Sequence, residues 1–124
     1  MRDAIQADAA PPPAGPYSHA VRHGGLLFLA GQGPADPASG RIAGSFEEQA
    51  RQTLRNLATV AEAAGASLDD ALRVGVYLRD WVNFETLNRV YAEVFSEPYP
   101  ARTTIQADIP IEIEIDAILA AGGG

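Results

Sequence analysis

Few side chains in this 124-residue sequence can do chemistry, and several kinds of chemistry are closed from the outset. There is no cysteine, which excludes disulfides, thiolate zinc sites and a cysteine nucleophile. His19 and His23 have no partner at metal-ligand or triad spacing. Ser18, Ser45, Ser67 and Ser96 lack the pattern of a nucleophile elbow. Gly24, Gly25 and Gly31 do not form a phosphate loop, because the glycine spacing is wrong and no lysine follows. What remains is acids and arginines. Glu114 stands mid-strand opposite Ile113 and Ile115, so it is either a general acid/base or an ordinary solvated carboxylate. Glu112 and Asp116 share its strand face, and mutual repulsion would raise the proton affinity of one of the three. Arg102 offers a planar fork that can grip a carboxylate through two parallel hydrogen bonds, or pair structurally with a nearby glutamate. Gly31 permits close backbone approach to a ligand, or marks a strand bulge. Residue type alone leaves each of these pairs open.

Charge narrows the partners. The formal net charge is −7, and all nine basic residues are arginine, a bias that genome composition explains. Phosphate backbones would be repelled, so broad nucleic-acid binding is not expected. A small anionic ligand would need a local positive site of the kind Arg102 could supply. The length suits one domain over 1–124 and leaves much surface exposed, so association between chains would supplement the core. The segment before Gly15 contains Pro11, Pro12 and Pro13 and reads as an extended arm over 1–14, while 120–124 should be a flexible tail. Met1 to Ala10 lacks the basic segment and apolar run of a secretory signal, and no apolar stretch reaches the roughly 18 residues of a membrane span, so a cytoplasmic location is expected.

The elements that must position these residues follow from periodicity. Tyr17 to Arg22 and Leu26 to Gly31 read as two strands joined by a turn at His23, Gly24 and Gly25. Ser45, with Glu48 three residues on, has the form of a capping box. The helix it opens buries Phe46, Ala50, Leu54, Leu57, Ala61 and Ala64 and stops at Gly65. Leu72, Val74, Val76 and Leu78 form the apolar face of a third strand, against Arg73, Gly75, Tyr77 and Arg79. A second helix, about Phe84 to Phe95, should bury Phe84, Leu87, Tyr91 and Val94, with Pro98 and Pro100 beyond its end. Thr103 to Ile109 and Ile111 to Leu119 are the last strands, with Pro110 at a break or edge. This order predicts two helices covering one face of a mixed sheet. The other face would meet water or the same face of another subunit.

Several motifs then resemble, in order and over about Gly15 to Ile118, one known family. Gly15-Pro16-Tyr17-Ser18 and Leu29-Ala30-Gly31-Gln32 are similar to its opening hairpin, and Asp36-Pro37-Ala38-Ser39-Gly40 to its turn. Gln49 to Leu57 resembles its first helix, Ala64 to Asp70 the exit, and Val76-Tyr77-Leu78-Arg79-Asp80 the next strand. Phe84, Asn88 and Tyr91 to Phe95 are similar to its second helix. Pro100-Ala101-Arg102-Thr103-Thr104 and Ile113-Glu114-Ile115-Asp116-Ala117 resemble its final strands. The family is RidA (YjgF/YER057c/UK114), also labelled endoribonuclease L-PSP. The resemblance implies an α+β, chorismate-mutase-like mixed sheet with two helices on one face. It also implies a homotrimer in which the uncovered faces turn inward as a central barrel, with three clefts between subunits.

The implied activity is a hydrolase acting on C=N bonds, an enamine/imine deaminase. It would convert 2-imino acids such as 2-iminopropanoate, the tautomer of 2-aminoacrylate, to 2-keto acids and ammonia, without cofactor or metal. Carried over residue by residue, Arg102 would anchor the substrate carboxylate and Glu114 would position water and move protons. Tyr17 would contact substrate or hold a water, and Gly31, Asn88 and Thr104 would complete the substrate site. Two departures bear on the pocket: Ala30 stands where many members have a hydroxyl residue, and the stretch from Arg102 to Glu114 is a few residues short. Both suit a different substrate, such as a bulkier imine or an enamine from a catabolic pathway. The alternatives are a pathway-specific deaminase of the aminomuconate or aminoacrylate type, a ligand-binding or chaperone-like trimer without turnover and, weakest given the acidic charge, a ribonuclease.

Overall fold

In a computed structural model, residues 2–121 are described. The elements, in order, are β1 (Asp3–Ile5), β2 (Ala20–His23), β3 (Leu26–Gln32), α1 (Phe46–Ala63), β4 (Ala71–Leu78), α2 (Phe84–Val94), β5 (Ala101–Gln106) and β6 (Ile113–Ala120). Short 3-10 turns at Leu68–Asp70 and Trp81–Asn83 lead into β4 and α2. The six strands form one sheet in the order β1-β2-β3-β6-β4-β5. Only β4 and β5 pair in parallel; the other neighbours are antiparallel. The sheet is therefore mixed, as expected.

Both helices lie on one face for a topological reason. β3 and β4 each run antiparallel to β6, so they are parallel to one another, and α1 is the crossover between them. The crossover from β4 to β5 contains α2 and moves in the same direction across the sheet. Right-handed crossovers advancing the same way put their helices on the same side. The core beneath them holds Leu54, Leu57 and Val60 of α1, Leu87 and Val90 of α2, and alternate residues of the central strands, including Val74, Val76, Ile113 and Ile115. Each fully buried Leu or Ile contributes about 1.5–3 kcal/mol of hydrophobic stabilisation.

The ends of α1 follow from its local chemistry. Ser45 Oγ accepts the Glu48 N–H at 3.2 Å. The Glu48 carboxylate, expected to return to the cap, instead accepts from Arg51 Nη1 at 3.1 Å. The reciprocal box forms one element later, where Ser67 and Asp70 cap the turn before β4. Gly65, at φ 79°, ends α1 as expected. Ala66 N–H reaches the Ala61 carbonyl and Gly65 N–H the Glu62 carbonyl, which satisfies the last orphan acceptors. Arg51 also donates to both carboxylate oxygens of Glu93, tying α1 to α2.

The structure corrects several expectations. The central barrel is absent: the sheet is open, with β1 and β5 as its two edges and no pairing between them. A barrel closes only when its first and last strands exchange hydrogen bonds, and these lie at opposite ends of the order. The arm supplies a sixth strand, β1, which pairs with β2 from Asp3↔Arg22 to Ile5↔Ala20. Ala7 and Ala10 are buried, and Ala7 N–H donates to His19 Nδ1 at 3.0 Å, so His19 holds the arm. Leu72 is half exposed, because the β4–β6 register shifts between Ala71 and Arg73 and throws it out of the alternation. On α2, Val94, expected to be buried, is exposed, and Val90 is buried in the core instead. Within 120–124, Ala120 ends β6 and Ala121 N–H donates to the Gly25 carbonyl, while the remaining three residues of the expected tail lie outside the described region. Among the described residues, no helix is long and apolar enough to cross a membrane.

Candidate active site

Arg102 lies on the edge strand β5, in register with buried Val74, so its side chain points to the helix face. There α2 receives it. Nη2 donates to Asn88 Oδ1 at 2.8 Å. The guanidinium carbon sits 4.7 Å from the Tyr91 ring centroid and 5.8 Å from that of Phe84, within cation–π range of both. Phe84 is itself stacked on Trp81 at 4.5 Å. Beside the guanidinium opens a cavity of about 300 Å³, lined by Asn88, Tyr91, Ala92, Tyr99, Pro100 and Arg102. Among the described residues, no carboxylate lies within ion-pair distance of Arg102. Its neighbours are an amide and two aromatic rings, which orient the fork without neutralising it. The structural ion pair left open by the sequence is therefore not made, and Asn88, mid-helix against propensity, has a partner. Burial pushes the Tyr91 phenol up, with Arg102 opposing weakly.

Thr104, two residues on, shares the strand face of Arg102, in register with Val76. Its Oγ1 is buried and has no hydrogen-bond partner among the described residues. It does not line the cavity.

Glu114 lies elsewhere. It alternates with buried Ile113 and Ile115 on the central strand β6 and pairs in register with Tyr77, which puts it on the sheet face away from the helices. Its side chain crosses Gly31. A Cβ built on Gly31 would fall 2.9 Å from Glu114 Cδ and 3.0 Å from Cγ, and closer still to Oε2. The β3–β6 register shifts between Leu29 and Gln32, so the bulge reading of Gly31 and the close-approach reading both hold. Burial first, and the neighbouring Asp116 carboxylate second, raise the Glu114 carboxyl above its ordinary range. Glu112 is ion-paired with Arg79. The connection from β5 to β6 is the loop after Gln106, which contains Pro110.

Tyr17 is half exposed in the loop before β2, where its hydroxyl accepts the Ala14 N–H at 3.1 Å. It does not line the Arg102 cavity. Ala30 offers only its backbone, whose N–H donates to the His19 carbonyl at 2.9 Å.

The six expected site residues thus fall into separate groups. Arg102 and Asn88 touch, with Thr104 nearby on the same strand face; Glu114 touches Gly31 on the other side of the sheet; Tyr17 stands apart. Three further residues were not singled out by the sequence reading. Tyr91 appeared only as packing, and Tyr99 carried no periodic signal. Asn56, buried in α1, donates to the Gly33 and Ala35 carbonyls at 3.0 and 2.8 Å and so secures the loop that follows Gly31. It lies beside the apolar stripe among polar neighbours such as Gln52 and Thr53, so periodicity gives no signal for it.

Comparison with known proteins shows what the chain as a whole is similar to. The family model described as Endoribonuclease L-PSP matches residues 7–120. A RutC family protein of Pyrococcus horikoshii is 46% identical over 120 residues, covering 92% of this chain and 95% of that protein. TdcF of Escherichia coli K12, provisionally named a reactive intermediate deaminase, is 35% identical over 129 residues, covering 98% of this chain and all of the other. The crystal structure of E. coli TdcF with bound serine superimposes with a TM-score of 0.90 over 95% of this chain and 98% of that one. RidA from an Antarctic Psychrobacter gives 0.91 at 39% identity, again over 95% and 98%.

Proposed function

The chain belongs to the RidA (YjgF/UK114) family, and from that premise we propose that it is an enamine/imine deaminase, hydrolysing 2-imino acids to 2-keto acids and ammonia. One observation carries the reading: an uncompensated, oriented guanidinium faces a cavity, while a carboxyl of raised proton affinity waits on the other side of the same sheet. No substrate of two or three carbons reaches both within one chain. The reading therefore requires sites between subunits, in the homotrimer that the resemblance implies. One copy supplies Arg102, Asn88 and Thr104; its neighbour supplies Glu114, Gly31 and Tyr17.

In such a site the Arg102 fork holds the substrate carboxylate through two hydrogen bonds. Water, positioned by Glu114, attacks the imine carbon, and the C=N electron pair moves to nitrogen, which takes a proton. The carbinolamine then collapses: the C–N bond breaks, ammonia leaves, and the hydroxyl loses its proton as the C=O forms. Glu114 gives and regains protons across these steps, and a carboxyl raised toward neutrality suits both directions. An enamine such as 2-aminoacrylate enters as its imine tautomer. The serine in the TdcF structure is an α-amino acid, with the carboxylate-and-nitrogen arrangement this site would hold. The family description names an RNA-cleaving activity. The formal charge of −7 supports a small anion guided by one arginine over a polyanion.

The test couples an amino-acid oxidase, as a source of imines, to this protein and follows imine loss. Wild type should accelerate hydrolysis and Arg102→Ala should not rise above background. Equal rates for the two would remove the proposal. Binding of a 2-keto acid without any turnover would favour the ligand-binding alternative.

A further inference from the structure

The face that carries Glu114 holds a second arrangement. Asp116 lies two residues along β6, on the same side, in register with Gly75 of β4. Its carboxylate packs flat over that glycine: a Cβ there would meet Asp116 Cγ at 3.3 Å, Oδ1 closer still, and the Tyr77 hydroxyl at 3.0 Å. Tyr77, the register partner of Glu114, does not reach its own partner. It crosses the diagonal and donates its O–H to Asp116 Oδ2 at 2.9 Å. Two glycines flank β6, Gly31 on β3 and Gly75 on β4, and each makes room for one carboxylate of the same β6 face, Glu114 over the first and Asp116 over the second, while the phenol ties Asp116 down.

We propose that Asp116, tethered by Tyr77, is a positioning residue that acts on the reaction through Glu114 and keeps that carboxyl ready to carry a proton. The inference rests on the reading of Glu114 as the acid/base. A fixed negative charge beside a half-buried carboxyl favours its protonated form. Without a tether, Asp116 on an open sheet face would turn to water and its influence would be diluted by solvent. Tyr77 is suited to the task, because its own hydroxyl is raised, first by the bond to Asp116 and then by burial, and so remains a donor throughout the working range. The other ionisable groups facing Glu114 are few. On β6, Glu112 is engaged by Arg79 of β4. On β4, Arg73 lies farther along, beyond Gly75, and acts on Tyr77. Strand β3 supplies no ionisable side chain, and the only one on β5, Arg102, points to the opposite face. Asp116 is thus the neighbouring charge that raises Glu114.

The test reads the Glu114 carboxyl directly, by carbon NMR titration of the full-length protein labelled at glutamate Cδ, beside the pH profile of kcat/KM. Asp116→Asn, which keeps the shape, should lower the Glu114 midpoint. Tyr77→Phe should lower it less, because the charge stays but is no longer held. The limb of the rate profile that belongs to Glu114 should move by the same amounts. A midpoint unmoved in Asp116→Asn overturns the proposal, and one unmoved in Tyr77→Phe overturns the tether. Midpoints that move while the rate profile stays put would overturn the acid/base reading of Glu114 itself, a failure distinct from the loss of coupling.

Discussion

The edge of the sheet and its centre carry opposite kinds of incompleteness. At the edge, Arg102 has everything except a counter-charge: an amide at 2.8 Å, two aromatic faces and a cavity, all supplied by β5, α2 and the segment between them. At the centre, Glu114 has Asp116 on the same strand face and Gly31 beneath it, and no ion-pair partner among the described residues. The cation is oriented by neutral groups, and the acid is tuned first by burial and then by another acid. Each half is what the other lacks, and the sheet stands between them. On the function proposed above, the difference teaches that the unit of function is larger than the unit of folding.

Substitutions can break or sharpen this contrast. The largest effect should come from Arg102→Lys. It keeps the charge, but a point ammonium cannot reproduce two parallel bonds or the stacking on Tyr91. Losing charged hydrogen bonds worth about 1.5–3 kcal/mol should cost roughly 10- to 150-fold in kcat/KM, measured in the oxidase-coupled assay. Gly31→Val should come next. Its side chain would crowd the Glu114 carboxylate, which can still turn aside, so kcat should lose only part of the ~10²–10⁴-fold that general acid–base catalysis supplies, about tenfold. Circular dichroism should stay unchanged. Asn88→Ala leaves Arg102 charged but unoriented; KM should rise several-fold, about 0.5–1.5 kcal/mol, with a smaller change in kcat.

The smallest effect concerns stability, and its sign separates the two regions. Glu114 binds its proton more tightly in the folded chain than in the unfolded one, so its contribution is fully present below the unfolded value and is lost as pH rises through the raised one. Glu114→Gln should therefore raise Tm near neutral pH, and the gain should vanish in acid. Thermal melts across that range would check it, and a Tm gain that grows in acid would contradict it.

Much of this architecture is legible in the sequence, for local reasons. Ser45 and Gly65 bracket α1 because cap chemistry is set by adjacent residues. The alternation of Ile113, Ile115 and Ala117 with Glu114 and Asp116 appears intact because β6 is central and covered on one face. What is not legible depends on partners distant in sequence. Leu72 leaves the core because β4 and β6 pair with a shifted register, which no pattern within β4 announces. The arm becomes β1 because β2 offers it an edge. The open sheet, in place of a barrel, follows from where the edges end. The side of the sheet to which Arg102 points was equally hidden. Its strand is short and mixed in polarity, so its facing is fixed only by the register with Val74. The tie from Tyr77 to Asp116 runs along a diagonal, which single-strand alternation cannot show.

The central claim, that one copy supplies the guanidinium and another the carboxyl, is tested most directly by mixing two inactive variants. Co-expressed Arg102→Ala and Glu114→Gln chains, assembling at random, should form some sites that take Arg102 from one chain and Glu114 from the other. Each intact half occurs with probability about one half, so about one quarter of the wild-type rate should return. A mixed assembly as inactive as either parent would contradict the account.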